Sequence, residues 1–346
     1  MMRAVKCGRG EGLNQMTEKS FLGIFSYFGY TEANRILQET ENHDSNFLRR
    51  LSANKTSPVV KEHCSTFKEF QDRFINKNYA LDTNIGLAFR GQASEAWPLE
   101  SSLFRLWTKL KMADNCGTSM KLDRFMSRTQ DLAKKHLNPN WQNLQPDDGY
   151  LMTVLQHYTR ISPLLDWTLN VKYALYFAFA NAPADKSENV TIYIADIGKV
   201  NKLALDTVNN EGRYNIKTIL DLNLDAVKWA GIWAFFRPAH FGDIRFAIQE
   251  GVFAYQAAPI DLDEHLSKYN SKTGTNCAMP GTLWIVTLPV SERPAVMDDL
   301  VANHITGEKL FAGWDEIGRD IVSKYTDEII KDLFGIPSAT FEQIRG

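Results

Sequence analysis

The chain has 346 residues, with 44% hydrophobic and 12% aromatic content, enough apolar material for a large core and too much for a disordered protein. Its 39 basic and 41 acidic residues leave a net charge of -2, which argues against a generic coat for polyanions and leaves room for a local basic patch. Four cysteines (Cys7, Cys64, Cys116, Cys277) stand far apart with no CxxC pair, the usage of a reducing compartment rather than of a disulfide scaffold.

The first 20 or so residues are rich in glycine and charge and carry no apolar run after them, so they read as a loose leader and not as a signal peptide. From Phe21 to Leu51 the spacing predicts a solvent-facing helical region, with Thr31 as an N-cap. "SANKTSPVVKEHC" reads as a linker, and "STFKEFQDRFINKNY" as a helix capped by Ser65 or Thr66. "IGLAFRG" reads as a strand, and "WPLESSLFRLWTKLK" turns helical after Pro98, with another helix at Leu122 to Leu137. The stretch "TLNVKYALYFAFANA" predicts a helix capped by Thr168, apolar on most faces and followed by Pro183, which belongs in the centre of the fold. "NVTIYIADI", "GVFAYQAAP" and "TLWIVTLPV" read as strands, and Asp298 to Gly346 returns to helical spacing. The longest apolar run, Tyr173 to Ala182, is about half of a bilayer span, so the expectation is a cytoplasmic protein without membrane contact. Together these elements predict an α+β protein: a mixed sheet core, a buried central helix and a helical N-terminal region. The expected domains are a leader and helical region over 1–64, a central domain over 65–290 and a helical extension over 291–346.

Three stretches place polar groups where apolar runs make them costly. In "FRGQ", Arg90 follows a buried strand; its planar fork suits phosphate or carboxylate, and Gly91 allows close backbone approach, although "RG" after a strand also fits a surface turn. In "LQHYTRISPLLDWTLN", Gln156, His157, Tyr158, Arg160, Ser162, Asp166, Trp167 and Thr168 crowd toward a helix N-terminus, which can hold an anion. Taken singly, His157 equally fits a half-buried structural histidine, and Asp166 a helix-start residue. In "FFRPAHFGDIRFAIQEGVFAY", Arg237, His240, Arg245, Gln249 and Glu250 precede a strand; Glu250 fits an acid or base, or a solvated turn.

Taken together, "FRGQ" at 89 to 92, "W-x-L-x-S-S-L-x-R" at Trp97 to Arg105, "LQHY…LLDWT…ALYFAFA" at 155 to 180 and "R-x-x-x-Q-x-G-x-F" at Arg245 to Phe253 resemble the FRG domain, a bacterial and phage-associated family. The resemblance extends over roughly Phe67 to Tyr255. The family usually reads Thr-Arg before Leu-Leu-Asp-Trp-Thr; here Ser162 keeps the hydroxyl, whereas Pro163 loses the charge and the backbone donor, with Arg160 three residues earlier. The resemblance implies a pocket around Arg90 for a nucleotide or other phosphorylated ligand, lined by Phe89, Gly91, Gln92, His157, Tyr158, Ser162, Asp166, Trp167, Thr168 and Arg245, in a phage-defence or toxin setting.

The motif order is similar, more distantly, to some ADP-ribosyltransferases. That likeness implies NAD as cofactor and a protein target, with Arg90 on the phosphates, Ser162 or Thr168 on the nicotinamide ribose, and Gln249 and Glu250 supplying the catalytic groups. Phe89, Tyr158 or Trp167 would then stack on the nicotinamide. The place expected for the catalytic acid falls on Gly251, and strand alternation turns the neighbouring Glu250 away unless a bulge re-aims it. The seven histidines form no ligand-spaced cluster, no P-loop, Rossmann or G-x-S-x-G motif occurs, and scattered basic and aromatic residues do not point to nucleic acid.

Overall fold

The structure, a computed structural model, describes residues 56–75, 86–105, 108, 153, 156, 162–182, 188–217, 222, 224–236, 248–270 and 278–311. Seven strands form one mixed sheet: β1 (Val59–His63), β2 (Leu87–Gln92), β3 (Leu164–Thr168), β4 (Asn189–Asp196), β5 (Trp233–Phe236), β6 (Gly251–Gln256) and β7 (Leu283–Pro289). Their spatial order is β1-β7-β4-β2-β3-β6-β5. Only β1 and β7 run parallel; the other five pairings are antiparallel. This is the expected α+β class with a mixed sheet.

Alternation along the strands sorts side chains onto two covered faces. Leu87 and Phe89 of β2, Ile192 and Ile194 of β4, and Trp284 and Val286 of β7 face one layer. There they meet α2 (Val171–Ala180), flanked by α1 (Phe67–Phe70) with its continuing π turn (Gln71–Ile75) and by α6 (Arg293–Ala302). Ala88, Leu165, Trp167, Tyr193, Ala195, Val252, Ala254, Trp233 and Phe235 face the other layer. Val200 and Leu203 of α3 (Ile197–Asn210) and Leu262 and Leu266 of α5 (Leu262–Asn270) close it. Two short helices, α4 (Leu224–Ala230) and α7 (Gly307–Leu310), lie among the remaining described elements.

The buried central helix is α2. Val171, Tyr173, Ala174, Leu175, Ala178 and Phe179 are buried, a spacing that wraps more than half of the helix in core. Its cap differs from expectation. Thr168 is the last residue of β3, and Asn170 is the N-cap, its side chain accepting from the Lys172 amide at 3.0 Å. Thr66, by contrast, caps α1 as expected, accepting from the Glu69 amide at 3.1 Å.

Two further expectations change. The apparent linker contains β1, whose Val59 and Val60 are buried while Lys61 and His63 face water, so only two residues carry the strand pattern. An edge strand needs no more, because its charged residues discourage further pairing. "LLDWT" is a strand and not a helix approach: four of its five residues are buried, which hides the period-2 signal. β1 precedes residue 65 and α6 begins at Arg293, yet β1 pairs within the common sheet and α6 packs on α2 through Val296 and Leu300. The helices expected at Phe21–Leu51 and Leu122–Leu137 lie outside the described residues. After Pro98, residues 102–105 are helical as expected.

Candidate functional site

β2 lies in the middle of the sheet with β4 on one side and β3 on the other. Its alternation divides the "FRGQ" motif between the two faces. Phe89, 1% exposed, is core beneath α2. Gly91 shares that face, and a Cβ there would lie 1.9 Å from the Ala174 carbonyl oxygen and 2.7 Å from the Ala178 nitrogen. The close backbone approach for which Gly91 is needed is therefore that of α2. Phe89 and Gly91 seat the helix, which replaces the expected contact of both with a ligand. Arg90 and Gln92 face the opposite layer.

On that side the sheet forks. β2 continues along β4 through Gln92↔Thr191, and β3 continues along β6 through Leu164↔Tyr255. Between β2 and β3 themselves the single paired position is Phe89↔Thr168. Where the ladder stops, the Arg90 guanidinium crosses the gap and donates from Nη1 to the Asp166 carbonyl oxygen at 2.6 Å. Burial holds the Arg90 pKa below its ordinary value; the Asp166 charge works against that shift and Arg105 adds to it. Trp167 is buried beside the gap, edge-on to Phe235 and Tyr193 with ring centroids at 5.2 and 6.4 Å. Tyr193 is the register partner of Arg90 on β4. From the far side of β3, the exposed carboxylate of Asp166 accepts from Gln156 Nε2 at 2.7 Å.

The segment after β2 folds back over this face and is held at several points. Gln92 Nε2 donates to the Pro98 carbonyl at 3.4 Å, and the Tyr193 hydroxyl to the Trp97 carbonyl at 3.5 Å. The Ser101 amide donates to Gln256 Oε1 at 2.7 Å, and Leu99 is buried in the core. The Ser102 hydroxyl accepts from the Ser162 amide at 3.0 Å, and the Ser162 carbonyl accepts from the Leu103 amide at 3.2 Å. The "W-x-L-x-S-S-L-x-R" stretch is thus the clamp that fixes residue 162 and the start of β3. Ser162 is buried, and its own hydroxyl accepts from the Leu164 amide at 3.0 Å.

Buried polar atoms in folded proteins are almost always hydrogen-bonded, so clusters of exceptions are informative. Eight buried side-chain atoms among the described residues have no hydrogen-bond partner. Five belong to the Arg90 face of the fork and the segment over it: Arg90 Nε, Gln92 Oε1, Ser101 Oγ, Trp167 Nε1 and Thr191 Oγ1; Gln156 Oε1 lies beyond the far side of β3, with Asp166. Donors and acceptors are both present, on side chains fixed by their other contacts.

The remaining expected site residues gather elsewhere. Thr168 is buried, donates to the Gln249 carbonyl at 2.6 Å and accepts from the Asn170 amide at 3.1 Å. Gln249 Nε2 donates to the Leu310 carbonyl at 2.9 Å. Glu250 takes a left-handed conformation (φ 48°), so the chain does turn irregularly before β6. That turn brings its carboxylate to Asn170 Nδ2 at 3.2 Å, beside Tyr173, whose pKa rises through burial and the Glu250 charge. The described contacts of Glu250 lie at the α2 N-terminus, whereas those of Arg90 lie in the fork. His157, Tyr158 and Arg245 lie outside the described residues. Sequence reasoning passed over Thr191, Tyr193 and Gln256, because each sits in a strand-like run with nothing local to mark it. No group of three or more His, Cys, Asp and Glu among the described residues is arranged to hold a metal ion. Nor is any described helix long and apolar enough to cross a membrane.

No curated protein and no solved structure matches the chain. The FRG domain model matches residues 86–187, a span that begins at β2, holds the clamp, β3 and α2, and stops before β4. The stretch Arg245 to Phe253 lies beyond that match. The two strands that part at the fork, and the helix seated on Gly91, are all inside it: the chain carries an FRG domain over residues 86–187.

Proposed function

We propose that this FRG domain is a binding module for a nucleotide or other phosphorylated ligand, held at the fork between β2 and β3 with Arg90 as the anion-facing group. The observation that carries the reading is a partly desolvated guanidinium whose Nε has no partner, on the same face of the fork as four further partnerless buried polar atoms. A guanidinium with a free Nε presents a donor in its fork plane, the geometry that suits phosphate oxygens. Gln92 adds an acceptor and Trp167 a donor to fix the rest of the ligand.

Binding without turnover is favoured over the transferase arrangement. A transferase would gather Arg90, a Ser or Thr hydroxyl and Glu250 on one cleft. Here the Ser162 and Thr168 hydroxyls are engaged by backbone groups, and the Glu250 carboxylate is engaged by Asn170. NAD enters as one ligand of the class rather than as a cofactor consumed. The phage-defence or toxin setting rests on the family resemblance alone.

Calorimetry and thermal shift with inorganic phosphate, ATP and NAD test the reading. At least one is expected to bind and to raise the melting temperature, and Arg90→Gln is expected to abolish both effects while circular dichroism stays unchanged. Nicotinamide released from NAD would overturn the non-catalytic reading. Absence of binding by every phosphorylated probe, or binding indifferent to Arg90→Gln, would overturn the site.

A further inference from the structure

We propose that Trp97 is a stacking platform for the ligand at the fork, so that the site selects phosphate esters bearing a planar ring over bare sugar phosphates; this rests on the Arg90 reading above. Trp97 is 55% exposed. Single exposed apolar residues are ordinary, so exposure alone carries nothing. What distinguishes Trp97 is its mounting. Its amide donates to the Ser94 carbonyl at 3.4 Å, and its carbonyl accepts from the Tyr193 hydroxyl at 3.5 Å. One residue on, the Pro98 carbonyl accepts from Gln92, and two residues on, Leu99 is buried in the core. The backbone beneath the indole is therefore anchored on both sides while the indole itself stays in water.

The anchors are also the groups of the candidate site. Tyr193 is the register partner of Arg90, and Gln92, 5% exposed, keeps a partnerless Oε1 while its Nε2 holds the clamp. An indole carried on backbone that is held by Tyr193, the register partner of Arg90, and adjoins the carbonyl held by Gln92 would offer a π face to a ring attached to a bound phosphate. The partnerless Trp167 Nε1 donor and Gln92 Oε1 acceptor complement the mixed donor and acceptor edge of a nucleobase. Stacking of a base on one aromatic side chain changes affinity by roughly 5- to 150-fold when that side chain is truncated.

The test is calorimetric titration of the full chain with ribose 5-phosphate and with AMP, which differ by the base. AMP is expected to bind the unaltered protein at least about tenfold more tightly. Trp97→Ala should erase that difference and leave ribose 5-phosphate binding as it was, whereas Trp97→Phe should preserve most of it. Arg90→Gln should weaken both ligands together. Equal binding of the two ligands, or a preference for AMP that survives Trp97→Ala, would overturn the role of Trp97 and leave the Arg90 site standing. Binding of neither ligand would overturn the role of Trp97, and the Arg90 site with it if phosphate, ATP and NAD fail to bind as well.

Discussion

Gly91 and Ala174 bring strand and helix backbones closer than a side chain at 91 would allow, since a Cβ there would sit 1.9 Å from the Ala174 carbonyl oxygen. The obstacle is backbone inside a buried helix, which cannot swing aside as a side chain does. Overpacking a core costs about 1–3 kcal/mol where neighbours can adjust, and more where they cannot. Gly91→Ala is therefore expected to lose at least about 3 kcal/mol in urea unfolding, or to fail to fold. Gly212, with open space around its Cβ position but φ 76°, is the control: Gly212→Ala should cost only the strain of a left-handed conformation, about 1 kcal/mol.

Asn170 and Thr168 are separable by mutation. Asn170→Ala removes the α2 N-cap and the partner of Glu250, and is expected to cost about 1–2 kcal/mol in thermal unfolding. Asn170→Asp should keep the cap but set a second carboxylate against Glu250, so it should rescue stability only in part. Thr168→Val leaves the helix cap intact and strips the Gln249 carbonyl and Asn170 amide of a partner, at about 1–3 kcal/mol. If Thr168→Val shortened α2 in hydrogen exchange and Asn170→Ala did not, the assignment of the cap would be reversed.

Much of this architecture is legible in the residues themselves. "IGLAFRG", "NVTIYIADI" and "TLWIVTLPV" alternate or run apolar in the β-branched style of strands, and each is one. The elements that escape have physical reasons. β1 shows two apolar residues because it is an edge, and β5 has only four residues. α3 begins directly from the last residue of β4, with Asp196 serving as strand end and as N-cap, so no turn residue punctuates the change. At the site, the parity of the strand carries more than the motif does. A motif quoted as one word, "FRGQ", conceals that Phe89 and Gly91 must face away from Arg90 and Gln92. Which face takes the helix is decided by α2 in the tertiary fold, and no local pattern in β2 declares it.

Cys64 should be inert in the native protein. It is 0% exposed, and burial, with Glu69 and Glu62 adding to it against Arg73, pushes its pKa up to about 11. Thiolate is the reactive form, so iodoacetamide at pH 8 should label Cys64 only as fast as the chain opens. The linkage has a definite sign. Between pH 9 and 11 the unfolded chain releases the thiol proton while the folded chain keeps it, so stability falls as pH rises through that window. The loss attributable to this group is about 2 to 3 kcal/mol at most. Cys64→Ala should flatten the stability profile above pH 9 relative to the unaltered protein; parallel profiles would place the thiol outside the core.

Arg90 offers the sharpest separation of stability from binding. A guanidinium drawn out of water with its Nε unpartnered contributes little to the fold, and its one described hydrogen bond is to the Asp166 carbonyl. Replacing a desolvated charge by an apolar side chain of similar length is often neutral or stabilising, by about 1–4 kcal/mol where the ion was fully buried. Arg90→Met should accordingly leave urea unfolding within about 1 kcal/mol of the unaltered protein, or raise it, while abolishing binding of phosphorylated probes. That pattern, stability held and affinity gone, is what a side chain kept for a ligand produces. A structural arginine gives the opposite one: Arg90→Met would then destabilise the protein by more than about 2 kcal/mol, as expected when a buried network loses a member.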